Sequence, residues 1–260
     1  MTKNAALTSA TDRAHEQLGV RFDRKSLTDV INTALSKVAF PTFYVTCNLN
    51  HLRVLQSDDA FRKAYRKASV ITLDSRPIQI ASRVYFGEYL PLVTGAELFS
   101  ALFLKLRPAV DRPFFICSSN DTGCRLRKSL IDRGFDTDAV EVYSPPFGFE
   151  RDAAINRAML SRIQRHRTTH LFMGVGAPKS ELWVAHNLYA LPPAHIFCVG
   201  AALDFTAGLK SRAPIWLGRI GFEWLHRMMA EPSRLMPRYA GDAIVFAKIL
   251  FGQKLVKVSL

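Results

Sequence analysis

Polar residues follow the apolar runs of this 260-residue chain, and several of them are suited to chemistry on a hydroxylated ligand. Thr46 and Asn48 close the run TFYVTCN, and Asp74 directly follows the run SVITL. A carboxylate at the mouth of a cleft can act as a general base on an attacking hydroxyl. A carboxylate in the same place can equally cap the helix that follows. Asp74 therefore has two candidate roles, base and helix cap.

The stretch LFMGVGAPKSELWV combines glycines, a lysine and a glutamate at the end of an apolar run. Gly174 and Gly176 allow a ligand to approach the backbone closely, and Pro178 fits the first turn of a helix. A helix N-terminus favours phosphate, and Lys179 adds a cation there. Glu181 falls in the same turn, where a carboxylate complements the helix dipole. The spacing matches neither a P-loop nor a dinucleotide fingerprint.

Short apolar runs rich in β-formers alternate with longer helical patterns from about residue 25 onwards. The predicted strands are 42–48, 69–74, 89–95, 112–119, 140–146, 170–176 and 195–200, and two clear helical patterns are 58–68 and 150–166. Continuous apolar strands alternating with helices predict an α/β fold with a mostly parallel sheet. Such sheets bind ligands beyond the carboxyl ends of their strands. The polar and glycine-bearing strand ends are therefore predicted to form one pocket rim.

The pattern changes after about residue 205, where no further strand is predicted. From Phe205 to the end, nine Lys and Arg stand against three Asp and Glu. Trp216, Ile220 and Trp224 recur at helical spacing. The predicted organisation is an α/β core, residues 1–204, followed by a basic helical appendage, residues 205–260.

The amino-acid composition limits the kinds of partner that the protein can bind. A hydrophobic content of 48% can form a full core, and a formal charge of +13 indicates an anionic partner: nucleic acid, an acidic membrane surface or a phosphorylated substrate. The four cysteines, Cys47, Cys117, Cys124 and Cys198, have no zinc spacing and are predicted to be buried free thiols in a reduced compartment. Charges interrupt every apolar run before bilayer-spanning length. We therefore expect a cytoplasmic protein.

Metal binding is not predicted. Asp136 and Asp138 form an Asp-x-Asp tripeptide of the type that binds metal in many sugar-nucleotide transferases. It precedes a predicted strand, which places it at the wrong end of the sheet for the pocket. The seven histidines give no indication of a metal site.

Several longer motifs together resemble the WecG/TagA/CpsF glycosyltransferase family. They are TCNLNHL, ITLDSRPI, LVTGAELF, SPPFGF, FMGVGAPKSELWV and VGAALDFTAGLKSRAPIWLGRIGFEWLHRMMAEPSRL, followed by RY, and they run in family order from about residue 20 to 245. The resemblance implies a Rossmann-like core and inverting transfer that needs neither a metal nor another cofactor. It also implies a UDP-sugar donor, a polyprenyl-diphosphate-linked sugar acceptor and an appendage that meets the membrane and completes the site.

Site residues follow from the matched motifs. By resemblance, Asp74 is the catalytic base, and the arginines of the appendage reach the diphosphate. The predicted substrate-binding residues are Thr46, Asn48, Arg76, Thr94, Gly95, Pro146, Gly148, Gly174, Gly176, Pro178, Lys179, Glu181, Gly200, Asp204, Arg212, Arg227 and Arg234. The expected location is the inner face of the cell membrane, as a peripheral protein.

Three departures from the family pattern bear on specificity. Ser75 stands where the family usually has glycine, Ser180 where it has glutamine, and Leu203 where it often has phenylalanine. The sugar stays open among N-acetylmannosamine, its uronic acid, glucose and glucuronic acid. The oligomeric state also stays open, and a homo-oligomer is one of the states allowed.

Two other classes of function compete. A nicotinamide-dependent oxidoreductase would share the α/β core, but the fingerprint glycines and the later acidic residue are missing. A nucleic-acid-binding protein would explain the charge, but it calls for a basic groove with stacking aromatics. A glycosyltransferase with no nucleic-acid partner is the favoured interpretation.

Overall fold

A six-stranded sheet lies at the centre of the computed structural model, which describes residues 14–210, 228–229 and 232–258. The strands are β1 (Thr42–Cys47), β2 (Val70–Leu73), β3 (Pro113–Ile116), β4 (Glu141–Tyr143), β5 (His170–Met173) and β6 (His195–Cys198). All pairings are parallel, in the order β2-β1-β6-β5-β3-β4. The predicted α/β Rossmann-like class with a mostly parallel sheet is confirmed.

Helices cover both faces of this sheet. They are α1 (Leu27–Ala34), α2 (Leu49–Ser57), α3 (Asp59–Arg66), α4 (Arg76–Phe86), α5 (Gly95–Lys105), α6 (Asn120–Ile131), α7 (Ala153–Arg165), α8 (Lys179–Asn187), α9 (Ala202–Thr206) and α10 (Pro232–Leu250). The helical patterns at 58–68 and 150–166 correspond to α3 and α7.

Two apolar layers, one on each face of the sheet, hold the fold together. Tyr44, Phe197, Phe172 and Phe115 lie side by side on β1, β6, β5 and β3, with ring centroids 4.4, 5.2 and 5.3 Å apart in that order. All four are buried, so this aromatic row contributes area burial as well as ring stacking. It keeps the central strands in register and therefore aligns their carboxyl ends.

The predicted strand at 89–95 is wrong. Only Leu92 pairs there, in a single parallel bridge with Leu73. Pro91 has no backbone N–H with which to form a ladder hydrogen bond. The carbonyls of Leu90 and Val93 accept hydrogen bonds from the side chains of Gln79 and Thr72 instead of from a neighbouring strand. The segment is an extended cover on the edge of β2.

The strand order predicts where the sheet has a crevice that can bind a ligand. The chain leaves β1 outward to β2 at one edge, then crosses to β3 on the far side, and β5 and β6 later fill the space between β3 and β1. The loops after β1 and β2 therefore diverge from those after β5 and β3. In open parallel sheets, ligands bind where connections diverge in this way.

The C-terminal helix α10 packs against α2 and α4. Leu235, Val245 and Ile249 are its buried apolar side chains among the described residues. Two backbone hydrogen bonds then tie the tail to the N-terminal segment, from Leu255 N–H to Gln17 and from Val258 N–H to Gly19. This helix belongs to the predicted appendage, whose boundary at residue 205 stays a prediction.

No helix within the described ranges is long and apolar enough to cross a membrane. Arg212, Trp216, Ile220, Trp224 and Arg227 lie outside the described residues. All four cysteines are free thiols; Cys47, Cys117 and Cys198 are buried as predicted, whereas Cys124 is exposed.

Candidate active site

A cleft of about 620 Å³ lies at the carboxyl edge of the sheet. Its walls come from the ends of β1, β2, β3, β5 and β6 and from α9 and α10. Thr46 and Asn48 contribute from the end of β1, Asp74 from the end of β2, and residues 174–177 from the loop after β5. The cleft therefore lies where the strand order predicts a ligand.

Asp74 is fixed by backbone contacts on both sides. Its N–H donates to the Cys47 carbonyl at 2.7 Å, and its Oδ2 accepts the N–H of Gly95 at 3.2 Å. The N-cap of α4 is Ser75, whose hydroxyl accepts the N–H of Ile78 at 3.5 Å. Capping of α4 thus falls to Ser75, and the carboxylate of Asp74 lies in the wall of the cleft.

Polar side chains at the neighbouring strand ends combine a structural bond with a position in the cleft wall. Thr46 donates its hydroxyl to the Cys198 carbonyl at 3.2 Å, which joins β1 to β6. Asn48 Oδ1 accepts the N–H of His51 at 3.2 Å and caps α2. Thr94 caps α5 through the N–H of Glu97 at 3.1 Å. These bonds fix the side chains before a ligand arrives.

A second carboxylate, Asp204 on α9, lies in the same cleft. The Thr122 hydroxyl donates to its Oδ1 at 2.8 Å and the Ser118 hydroxyl at 3.2 Å. The Lys210 ammonium lies 3.6 Å from Oδ2. Asp204 is buried, so these partners offset the cost of desolvating its charge.

A third acidic side chain, Glu181, is enclosed in the wall. Burial raises the pKa of Glu181 to about 7, although its place in the first turn of α8 favours a charge. His51 Nε2 lies 3.9 Å from its Oε1. Burial, and secondarily the charge of Arg238, lowers the pKa of His51 to about 3, so this imidazole is neutral at pH 7.

The loop after β5 depends on its glycines. A Cβ on Gly174 would lie 2.8 Å from Leu203 Cδ2 and 3.0 Å from the Ile116 carbonyl oxygen. Gly176 has a φ of 83°, which side chains rarely adopt. The backbone can therefore approach both the sheet and the cleft closely.

Among the described residues, no group of three or more His, Cys, Asp or Glu side chains is arranged to hold a metal ion. Asp136 and Asp138 lie before β4, at the opposite end of the sheet from the cleft, and Asp138 is mostly exposed.

Sequence comparison agrees with this geometry. The model of the glycosyl transferase WecG/TagA/CpsF family matches residues 15–259. The chain belongs to this family. It is a glycosyltransferase by family, with an α/β core and a cleft at the carboxyl ends of the strands.

Curated relatives carry a specific name. Two from Staphylococcus aureus, strains MRSA252 and NCTC 8325 / PS 47, are each named N-acetylglucosaminyldiphosphoundecaprenol N-acetyl-beta-D-mannosaminyltransferase. They are 22% and 21% identical to this chain over 226 and 222 residues. Each alignment covers 84% of this chain and 85% of the relative.

The structure places nine of the eighteen predicted site residues in the cleft wall. The predicted residues in its wall are Thr46, Asn48, Asp74, Thr94, Gly174, Gly176, Glu181, Gly200 and Asp204. Gly95 lies directly behind them, because a Cβ there would be 3.1 Å from the Thr46 hydroxyl.

Other predicted residues lie outside the cleft wall. Arg76 donates to Gln79 at 2.6 Å. Lys179 lies 3.7 Å from a carboxylate oxygen of Glu150 and 4.4 Å from the ring centroid of Phe147, next to Pro146 and Gly148. Pro178 is the residue before α8. Arg212 and Arg227 lie outside the described residues, and so does the side chain of Arg234.

Five further polar residues of the wall were missing from the predicted site, namely His51, Ser118, Lys210, Arg238 and Tyr239. All except Ser118 fall within motifs that carry the family resemblance, such as TCNLNHL and the terminal RY. His51 and Arg238 are helical, and no strand-end rule selects them. Only the family motifs could have identified His51 and Arg238 from the sequence.

Proposed function

We propose that the chain transfers a sugar from a UDP-sugar to a polyprenyl-diphosphate-linked sugar acceptor, with inversion at the anomeric carbon. The observation that carries the proposal is the position of Asp74: a carboxylate fixed by the Gly95 N–H, in the wall of a cleft that the basic helix α10 also lines. An acceptor hydroxyl needs such a base, and a diphosphate needs such a basic wall.

In this reaction, Asp74 takes the proton of the acceptor hydroxyl while that oxygen forms a bond to the anomeric carbon of the donor. The bond between the anomeric carbon and the phosphate oxygen breaks, and UDP leaves with the electron pair. Attack from the face opposite the leaving group inverts the configuration. A positioned base of this kind contributes about 10²- to 10⁴-fold in rate.

The departing diphosphate gains negative charge, which fixed donors must stabilise. Arg238 and Lys210 are the cationic side chains of the described cleft wall. Preorganised donors of this type are worth roughly 3 kcal/mol each in a transition state. Arg212, Arg227 and Arg234 are proposed to add to them from the same appendage, which makes the reaction independent of metal ions.

The remaining substrate-binding roles are proposed by position. Thr46, Asn48, Thr94, Gly174 and Gly200 lie where a sugar nucleotide would meet the strand ends. The acid Asp204, held by Ser118, Thr122 and Lys210, is suited to sugar hydroxyls, because a fixed carboxylate accepts hydrogen bonds from them.

The substrates are proposed from the relatives. Their name describes transfer of N-acetylmannosamine to N-acetylglucosaminyldiphosphoundecaprenol. N-acetylmannosamine is therefore the first donor sugar to test, followed by its uronic acid, glucose and glucuronic acid. Ser180, in place of the usual family glutamine, is buried with 1% of its surface exposed. Its difference from glutamine makes donor choice worth measuring.

A lipid-linked acceptor keeps its diphosphate at the headgroup layer, so the enzyme has to bind the membrane surface. We place it on the inner face of the cell membrane, held by the basic appendage. Exposed apolar residues of α10, among them Met236 and Ile244, and the neighbouring Phe251 are suited to the interface.

The test is release of UDP from a panel of UDP-sugars, with and without a lipid-diphosphate-linked N-acetylglucosamine acceptor, in EDTA. Release that requires the acceptor and occurs with one donor is the expected result. Release that needs added Mg²⁺ would contradict the metal-independent mechanism. No release with any donor, together with no binding of UDP in calorimetry, would contradict the proposed reaction.

A further inference from the structure

Glu181 is an acidic side chain in the cleft wall whose burial the proposed reaction does not explain. It is 2% exposed, and its Oε2 has no hydrogen-bond partner among the residues that the structure describes. A buried carboxyl oxygen without a partner costs free energy of folding. When such an unpaired oxygen lies beside a ligand site, the bound ligand can supply the missing hydrogen-bond partner.

The other oxygen of Glu181 faces a buried hydrogen-bonded pair. His51 Nδ1 and the Tyr65 hydroxyl lie 2.6 Å apart, and His51 Nε2 lies 3.9 Å from Glu181 Oε1. A neutral imidazole has one protonated nitrogen. When the Tyr65 hydroxyl donates to Nδ1, the ring proton is on Nε2 and faces Oε1. The Nε2 proton then lies on the Oε1 side of the carboxyl group, at an N···O distance of 3.9 Å that is too long for a hydrogen bond. This position favours a carboxyl proton on Oε2, away from the ring proton.

The remaining neighbours of Glu181 supply no positive charge that would stabilise its carboxylate form. Cys47 on β1 and Cys198 on β6 are buried thiols, and burial raises the pKa of both, so they carry no charge. Burial raises the pKa of Tyr65 on α3 as well. Asp74 from β2 acts electrostatically on the same cluster, and a second negative charge beside it is unfavourable.

The main cation near this cluster is Arg238 on α10, which acts on His51. Asp242 lies 3.7 Å from Arg238 and offsets part of its charge. Lys179, in the same helical turn as Glu181, lies instead 3.7 Å from Glu150. The described cations near Glu181 thus already have carboxylates other than Glu181 beside them.

We propose that Glu181 carries a proton on Oε2 and donates it in a hydrogen bond to an oxygen of the bound substrate, with His51 and Tyr65 as positioning residues. This inference rests on the proposed function. The terminal torsion of glutamate is broad, so a small rotation turns Oε2 into the cleft. The oxygen that accepts belongs either to the donor sugar nucleotide or to the lipid-linked acceptor, since both meet in this cleft.

A neutral acid has an advantage at this place. Both substrates contain a diphosphate, and a carboxylate would repel it. A protonated carboxyl group donates a hydrogen bond without that repulsion. Asp74 then remains the base, while Glu181 stays an acid through the same turnover.

The sign of the pH dependence follows from the raised pKa. Glu181 is protonated below its pKa of about 7 and loses the proton above it. The binding contribution is therefore present at pH 6 and lost by pH 8.5. For one group with that pKa, the protonated fraction falls about 30-fold across this range.

The experiment measures kcat/KM for each substrate from pH 6 to 8.5 in the wild type, Glu181→Gln and Glu181→Met. In the wild type, kcat/KM for one substrate should fall up to about 30-fold relative to Glu181→Gln, whose amide donates at every pH. Glu181→Met should raise KM for the same substrate about 10- to 100-fold at pH 6. The substrate whose KM changes identifies the source of the oxygen. The matched control is Ser82→Ala on α4, which removes a buried hydroxyl that also has no hydrogen-bond partner among the described residues but lies outside the cleft wall, and it should leave both KM values unchanged.

A thermal unfolding arm separates this role from a purely structural one. Because Oε2 has no hydrogen-bond partner within the described part of the chain, Glu181→Met should keep or raise the melting temperature at pH 8. A melting temperature lowered in Glu181→Met, with unchanged KM for both substrates, would overturn the inference. Glu181→Gln with the wild-type pH profile would overturn it too. An inactive wild type would contradict the proposed function instead, and the unfolding arm would still test Glu181 without substrate.

Discussion

Residues at the strand ends both cap the following helices and line the cleft. After β2, these two roles are divided between Ser75 and Asp74. Ser75 caps α4, and Asp74 accepts the N–H of Gly95 from within the cleft wall. Either residue could have been the cap by sequence. Propensities treat serine and aspartate as equal caps, so only the fold assigns them.

The first prediction concerns Asp74→Asn. Asparagine has the same shape and keeps an oxygen for the Gly95 N–H, but it cannot take a proton. We expect kcat to fall about 10²- to 10⁴-fold, while the melting temperature and the affinity for UDP stay close to wild type. Steady-state kinetics measures kcat, and calorimetry measures the melting temperature and the affinity for UDP.

Asp136→Asn is the matched control, because Asp136 is exposed at the opposite end of the sheet and should tolerate the same change. An Asp74→Asn variant with wild-type turnover would eliminate Asp74 as the base. A variant that also fails to bind UDP would instead indicate a damaged cleft.

Cleft residues on helices were harder to predict from the sequence than cleft residues at the strand ends. Thr46, Asn48 and Asp74 were predictable because parallel strands bring their carboxyl ends together. His51 was not, because its role depends on Glu181, which lies 130 positions away in the chain and 3.9 Å away in space. Pairings of this kind arise from packing of α2 against its neighbours, which no local pattern encodes.

At the scale of elements, all six strands fall within runs that the sequence predicted, while their order in the sheet was not predicted. The error at 89–95 has a physical cause. Apolar side chains there fit a strand, but Pro91 and the side-chain bonds from Gln79 and Thr72 remove the ladder. Hydrophobicity predicted the burial correctly, and hydrogen bonding decided the conformation.

Helix α10 brings cleft residues from the far end of the chain, and Asp242 is central to its docking. Asp242 is 4% exposed. It accepts from Arg53 Nε of α2 at 3.2 Å, and Arg238 Nε lies 3.7 Å away on α10. One carboxylate therefore links α2, α10 and a cationic side chain of the cleft.

The second prediction is that Asp242→Ala loosens this docking. It leaves two partly buried guanidinium groups without the carboxylate that they share, so we expect a loss of about 2 kcal/mol in the free energy of unfolding. Urea unfolding measures it. The KM for the lipid-linked acceptor should rise as well, because Arg238 loses its orientation.

Asp132→Ala is the control for the Asp242 variant. It breaks the exposed pair between Lys128 and Asp132, where both side chains are more than half exposed, and should cost less than about 0.5 kcal/mol. Equal losses in the two variants would show that Asp242 contributes no more than a surface pair.

At the scale of the whole molecule, charge and exposed apolar surface are the features on which the proposed membrane association rests. The chain has a formal charge of +13, and α10 and the tail expose Ile244, Phe251, Lys248 and Lys257. Apolar side chains enter the interface while lysines interact with anionic headgroups. The same helix lines the cleft, so binding to a membrane would bring the cleft to the lipid-linked diphosphate.

The last prediction tests this arrangement with sedimentation of vesicles that contain about 30% anionic lipid. Each lysine near the surface contributes about 1 kcal/mol, so Lys248→Gln with Lys257→Gln should weaken binding about 30-fold at low salt. Phe251→Ser should weaken it further, also on neutral vesicles, because its effect is apolar. Lys63→Gln with Lys128→Gln changes net charge equally on core helices and should have little effect. Equal weakening by both lysine pairs would mean that net charge alone binds the membrane, with no preferred face. A preference for the α10 pair would mean that the membrane orients the cleft, so that charge, helix and site act as one unit.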